Sequence, residues 1–301
     1  MNDRQYDLIG NIGHGAYSKV KLFHSRNLNR NVSIKIINKS LAPRDFVQNF
    51  LPREIDVLQI VRHNNVVDIF EILATNDGRI FVISEYAAYG DLLHHIQTTK
   101  RLHGVKTSFI CKKIIFTIFI GAMSERHSRE LFSHLCAAIE YLHGQRIVHR
   151  DLKCENLLLT YENGLQKSSS ISTSSSMSVD SVPEKVEKTI SSEALPSNFH
   201  IGTVKLVLAD FGFSRKFEDD NEQSRTFCGS AAYAAPEIIK GEPYLLRNHD
   251  MWSLGVILFI MVCGTMPYDD SNIRQMLKDQ LSRRIRFPPQ VLSKISSEFS
   301  G

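Results

Sequence analysis

The stretch His149-Arg150-Asp151-Leu152-Lys153-Cys154-Glu155-Asn156 constrains this chain more than any other. Asp151 and Asn156 are five positions apart, with Lys153 between them. A loop of that composition can set one carboxylate against a hydroxyl and one amide against a metal ion. Asp210-Phe211-Gly212 follows a short apolar stretch, 204–208, that reads as a strand, and it supplies another metal-binding carboxylate. Ala235-Pro236-Glu237 comes next, and then an apolar helix headed by Asp250.

Upstream lies Ile12-Gly13-His14-Gly15-Ala16-Tyr17-Ser18-Lys19-Val20, between two expected strands. Glycines let a backbone approach phosphate closely because no Cβ intervenes, although a G-x-G by itself is more often only a turn. A strand is predicted at 32–37, within which Val32-Ser33-Ile34-Lys35 places a lysine. The spacing of Phe46, Phe50, Leu51, Ile55 and Leu58 predicts a helix over 46–58 that carries Glu54. A helix carboxylate can hold a strand lysine and aim it at phosphate oxygens. Strands are predicted at 66–73 and 79–85, joined by a turn at Asn76-Asp77-Gly78. The first part of the chain is therefore mostly strand with one helix.

From 91 onward helical signals dominate. Residues 129–143 put Leu131, Leu135, Ala138, Ile139 and Leu142 on one face. Residues 251–263 are nearly all apolar, which predicts a helix buried on every side, yet too short to span a bilayer.

Composition excludes several classes. At 43% hydrophobic and 23% charged, the 301 residues can bury a sizeable core, so the chain is neither fully disordered nor collagen-like. Length suggests roughly two domains. A net charge of +4, evenly spread, gives no electrostatic reason for nucleic-acid binding. Five cysteines without a C-x-x-C pair suit free thiols in the reducing cytoplasm, not disulfides or zinc. The amino-terminal residues contain no apolar signal core, and no membrane association is expected. Two segments break the pattern. Residues 162–200 hold twelve serines and read as a disordered insertion. Residues 105–121 contain Ile114-Ile115-Phe116-Thr117-Ile118-Phe119-Ile120, an apolar insertion rich in strand formers that would invite aggregation if exposed.

In their order, these motifs resemble the eukaryotic protein kinases over residues 6–287, and their roles follow that signature. More narrowly, Phe46-Val47-Gln48-Asn49-Phe50-Leu51-Pro52-Arg53-Glu54, the run from Thr226 to Glu237, and Met266-Pro267-Tyr268-Asp269-Asp270 resemble the testis-specific serine/threonine kinases, near the calmodulin-dependent and AMP-activated groups. The resemblance implies an α+β bilobal fold: a small antiparallel β lobe with one main helix at 1–86, and a larger helical lobe at 87–301 that carries both insertions.

It also implies a serine/threonine protein kinase acting on protein substrates, with ATP and Mg²⁺ as cofactors and spermatogenesis as the setting. Ile12, Gly13, His14, Gly15, Ala16, Tyr17, Ser18, Lys19 and Val20 would cover the nucleotide, and Glu85 and Ala87 would bind adenine. Lys35, paired with Glu54, would hold phosphates. Asn156 and Asp210 would hold Mg²⁺. Asp151 would take the substrate proton, and Lys153 would reach the transferred phosphate and mark serine/threonine specificity. Arg150 would bind a phosphate on Thr226, placed there by an upstream kinase. Asp91 and Glu155 would favour arginine-containing substrates. Ser84, small for its position behind adenine, would enlarge the pocket for bulky purine-type inhibitors.

Some positions depart from the family pattern. Ser18 replaces a glycine and Ser33 an alanine. The family's large lobe continues beyond the equivalent of Phe299, so the fold is expected to be C-terminally truncated, with Glu237 left as an unpaired buried carboxylate. The alternative reading is therefore a catalytically impaired ATP-binding fragment or scaffold, held by a chaperone, or a misread exon structure that also accounts for 105–121.

Overall fold

The structure is a computed structural model that describes residues 5–102, 123–161, 203–283, 285 and 287–292. Both expected insertions, 105–121 and 162–200, lie outside the described residues.

Five antiparallel strands form one sheet in the order β1-β2-β3-β5-β4. They are β1 Tyr6–His14, β2 Ser18–Ser25, β3 Arg30–Asn38, β4 Ile69–Ala74 and β5 Arg79–Glu85. In the middle of the sheet Val32, Ile34 and Ile83 are fully buried, with Phe23, Phe70 and Phe81 against them. This is the packing that β-branched and aromatic side chains favour on a pleated surface. The glycine-rich stretch is the hairpin between β1 and β2, and its register puts Gly13 opposite Val20. The next registers put Val20 opposite Lys35 and Ser33 opposite Ser84.

Two expected elements differ. The strand predicted at 66–73 begins only at Ile69. Val66 forms a single parallel bridge to Leu208, and the Val67 amide donates to the Leu208 carbonyl. A distant strand has thus claimed the backbone groups that the sheet would use. The helix predicted at 46–58 opens as a π-helical turn, Phe46–Phe50, and continues as α1, Leu51–Ile60. Pro52 has no N–H to give the Gln48 carbonyl, and its ring crowds that carbonyl, so the turn before it widens. The Leu51 amide accordingly reaches back to Phe46.

Beyond the sheet come α2 Leu92–Leu102, α3 Glu125–Gly144, α4 Pro236–Lys240, α5 Leu246–Cys263, α6 Ile273–Leu281 and α7 Pro289–Leu292. Short ribbons lie between them: β6 Ile147–Val148 with β9 Arg215–Lys216, β7 Leu157–Tyr161 with β8 Val204–Leu208, and β10 Gln223–Ser224 with β11 Tyr244–Leu245. Ser124 caps α3 by accepting from the His127 amide. The predicted face of α3, Leu131 to Leu142, is buried as expected. Helix α5 is not buried on every side, since Met251 is 56% exposed and Gly255 also faces out. One apolar cluster joins Leu51 and Leu58 of α1 to α3, β8, Phe211 and the Leu254–Ile257–Ile260 face of α5. It fastens the sheet to the helices and so fixes the cleft between them.

One acid sits inside this apolar mass. Asp250 of α5 is fully buried, accepts from the backbone amides of His149 (3.0 Å) and Arg150 (2.9 Å), and pairs with His143 Nε2 at 2.9 Å. Asp250→Ala should strand all of these groups and cost about 3–5 kcal/mol. Urea unfolding followed by circular dichroism checks this; a loss below about 1 kcal/mol would contradict it.

Candidate active site

A cleft of about 560 Å³ opens between the sheet and the helices. Its roof includes Ile12, Gly13, His14, Gly15, Ser18 and Val20, and its back wall Ser33, Lys35, Val82 and Ser84. Glu85 and Ala87 edge it, and Asn156 and Asp210 form its floor. Ala16, Tyr17 and Lys19 do not line it. Tyr17 instead packs its ring 5.7 Å from Phe46, and Lys19 is exposed on β2.

Lys35 projects from β3, where its Nζ lies 2.8 Å from Glu54 Oε1 on α1 and 3.1 Å from Asp210 Oδ1. Burial works against the ammonium, but the two carboxylates outweigh it and hold the Lys35 pKa above the ordinary lysine value. Burial likewise opposes ionisation of Asp210, and Lys35 overcomes it, so that carboxyl titrates below its usual range. Glu54 is only 2% exposed, whereas Asp210 faces the cleft at 47%. The lysine therefore has one permanent partner and one that stays open to a ligand.

Asp151, Lys153 and Asn156 form a second knot. Lys153 Nζ donates to Asp151 Oδ2 at 2.8 Å. Asn156 Nδ2 donates to the same oxygen at 3.1 Å and to the Asp151 carbonyl at 2.8 Å. With its nitrogen so committed, the amide presents Oδ1 on its other side. Asn156 Oδ1 and the Asp210 carboxylate are hard oxygen donors on one cleft wall, which is the donor chemistry that Mg²⁺ takes.

Two residues here hold left-handed backbone without being glycine: Arg150 at φ 64° and Asp210 at φ 62°. Such strain survives only where surroundings over-determine it, and it clusters at functional sites. Arg150 is held by Asp250 at its amide and by the Phe213 carbonyl at its Nε (2.8 Å). Gly229, at φ 81°, packs against this loop so closely that a Cβ would lie 2.5 Å from the Arg150 carbonyl. No other residue type fits there without moving one of the two segments.

The segment between Asp210 and Glu237 is tied down along its length. Arg215 pairs with Glu222, Arg247 with Asp220 at 2.8 Å, and Tyr244 Oη donates to the Thr226 carbonyl at 2.8 Å. Thr226 is exposed, whereas Arg150 is 2% exposed and acts electrostatically on Cys228 and Tyr244 beneath it. Glu237 is half-buried, so it carries less of the cost expected of a fully buried carboxylate. Asp91 and Glu155 both line the cleft. Burial pushes the Cys154 thiol up to about 12, which makes it inert at neutral pH.

The family model for the protein kinase domain matches residues 6–300. The chain belongs to the protein kinase family. Testis-specific serine/threonine-protein kinase 1 of Mus musculus is 39% identical over 292 residues, covering 96% of this chain and 63% of that relative. The third member of that group from Homo sapiens is 34% identical, covering 95% and 83%. Serine/threonine-protein kinase SIK2 of Gallus gallus is 29% identical, covering 94% and 27%. The chain thus spans less than two thirds of the length of the first of these relatives. Among the described residues of this kinase domain, no helix is long and apolar enough to cross a membrane.

Sequence reading overlooked two contributors to the site. Asp250 was legible only as an acid heading an apolar helix, a signal that in itself calls for buried partners. Ser33 stands across the sheet from Ser84 through a register that only the fold supplies.

The shifted carboxyls set the pH response. Asp250, like Asp210, titrates below its usual range: burial opposes this, but hydrogen bonding to His143 and nearby histidines prevail. A depressed folded pKa adds stability above the ordinary value of about 4 and loses it as pH falls. The raised Lys35 pKa adds stability that fades only as pH climbs beyond about 10. The melting temperature should therefore hold from about pH 5 to 9 and drop on acidification below about 4. Differential scanning fluorimetry across that range tests this; an equal melting temperature at pH 3.5 and 7 would oppose it.

Proposed function

We propose that this kinase domain transfers the γ-phosphoryl group of Mg-ATP to serine or threonine hydroxyls of protein substrates. The observation that carries this reading is the convergence of Lys35, Glu54 and Asp210 at 2.8 and 3.1 Å, from three segments far apart in sequence. Residues 1–86 form the nucleotide-binding lobe and 87–301 the catalytic lobe, with Glu85 to Ala87 as the hinge. The Glu85 side chain is bound back to the Asp68 amide at 3.0 Å, which steadies its backbone for a base.

Asp151 accepts the proton as the substrate oxygen bonds to the γ-phosphorus and the bond to the ADP oxygen breaks. Lys153, already 2.8 Å from Asp151, compensates charge on the group in transit. Lys35 grips the nucleotide phosphates, and the sheltered Glu54, 2.8 Å from its Nζ, holds the ammonium in position. Asp210 and Asn156 would hold Mg²⁺, which would supply neutralisation of the phosphate charge. Positioning and charge compensation supply most of the rate in such transfers.

The carboxylates of Asp91 and Glu155, both lining the cleft, support recognition of arginine in the substrate by charge-assisted hydrogen bonds. The exposure of Thr226 supports its phosphorylation by an upstream kinase, the added charge being drawn toward Arg150. The free, buried thiols of Cys154, Cys228 and Cys263 support a cytoplasmic setting, and the names of the relatives support one in spermatogenesis.

Asp151→Asn should lower peptide phosphorylation at saturating Mg-ATP by at least about a hundredfold, measured by phosphate incorporation into a peptide library in which arginine-containing sequences are preferred. Activity equal to that variant in the unaltered chain would retire the catalytic reading, and a library without arginine preference would retire the assignment of Asp91 and Glu155. Thr226→Ala should reduce kcat about tenfold or more after incubation with an activating kinase; full activity in that variant would exclude regulation at Thr226.

A further inference from the structure

The β3–β5 register sets two serines face to face in the back of the cleft. Ser33 Oγ and Ser84 Oγ are 2.8 Å apart. Ser33 Oγ also donates to the Glu85 carbonyl at 3.2 Å, and Ser84 Oγ lies 3.5 Å from the same oxygen. The back wall of the cleft, which also includes the apolar Val82, thus holds two hydroxyls beside a backbone carbonyl.

The hydrogen-bonding capacity of this wall is specific. A backbone carbonyl only accepts, whereas a serine hydroxyl rotates and can donate or accept. Beside each other, Glu85 O and the Ser33–Ser84 pair present an acceptor next to a switchable group. A 6-aminopurine gives its amino hydrogen to Glu85 O and leaves the hydroxyls paired with each other. A 6-oxopurine carries a lactam edge, an N–H donor next to a C=O acceptor. Over an apolar wall its oxygen would be buried without a partner, which is costly. Here one hydroxyl can turn to donate to that oxygen while the lactam N–H meets Glu85 O. The small side chain at 84 leaves room for the base to settle at that depth.

We propose that the Ser33–Ser84 pair relaxes base selection, so that the cleft binds 6-oxopurine nucleotides, those of inosine and guanosine, alongside adenine nucleotides. This rests on the nucleotide-site reading above.

Isothermal titration with ADP and with IDP, which differ only at the 6-position edge of the base, tests it directly. The unaltered chain should bind IDP within about tenfold of ADP. Ser33→Ala should shift the ADP-to-IDP affinity ratio about fivefold against IDP, the worth of one ordinary hydrogen bond. Ser84→Ala should shift it in the same direction and serves as an independent variant. A ratio identical in all three proteins, or ADP binding without IDP binding in the unaltered chain, would overturn base relaxation and leave the nucleotide site standing. Absence of ADP binding would remove the nucleotide reading and this inference with it.

Discussion

The loop from His149 to Asn156 hangs from one buried carboxylate. Asp250 has no exposed surface, and taking an acid out of water is unfavourable by several kcal/mol before its partners are counted. The backbone amides of His149 and Arg150, with the imidazole of His143, offset that penalty. They also stiffen the loop from below. Arg150 keeps a left-handed backbone because its amide is held there and its guanidinium is held by the Phe213 carbonyl. The direction of Asp151, the next residue, is set by that bend. Gly229 then fits over the Arg150 carbonyl, which places the segment leading to Ala235-Pro236-Glu237 beside the loop.

Electrostatics in and beside the cleft are arranged around two lysines. Lys35 and Lys153 each hold a carboxylate at 2.8 Å, the first in the cleft wall and the second in the loop that carries Asn156. Glu54 is sheltered and Asp210 is open, so a phosphate-bearing ligand would meet an already oriented ammonium and an accessible carboxylate. Pre-orientation matters because little reorganisation then remains when a ligand's charge arrives. The segment after Asp210 is pinned by Arg215–Glu222, Arg247–Asp220 and Tyr244–Thr226, which lets the same arrangement persist across a long stretch of irregular chain.

Much of this was legible beforehand, for a local reason. Residues 79–85 and 204–208 form the predicted strands because their apolar residues and flanking turn signals act over a few positions. Helix α3 has the predicted face because its spacing needs no partner to be recognised. The misreadings have equally definite causes. Val66 and Val67 look like strand, but Leu208 claims their backbone from far along the chain. Residues 46–50 have helical spacing, but Pro52 removes a donor and widens the turn. Met251 reads as core and lies at the surface because an apolar run says nothing about which face has a neighbour.

By itself, the sequence determined the family and the identity of the chemical groups, because Lys35, Asp151, Asn156 and Asp210 sit in short motifs whose internal spacing carries the information. Only the tertiary structure decided how those groups face one another: Lys35 between a sheltered and an open carboxylate, Asp250 beneath the loop, and Ser33 against Ser84 beside the Glu85 carbonyl. Hydrogen bonds and ion pairs act over about 3 Å, and which residues come that close depends on strand register and helix packing that no local pattern specifies.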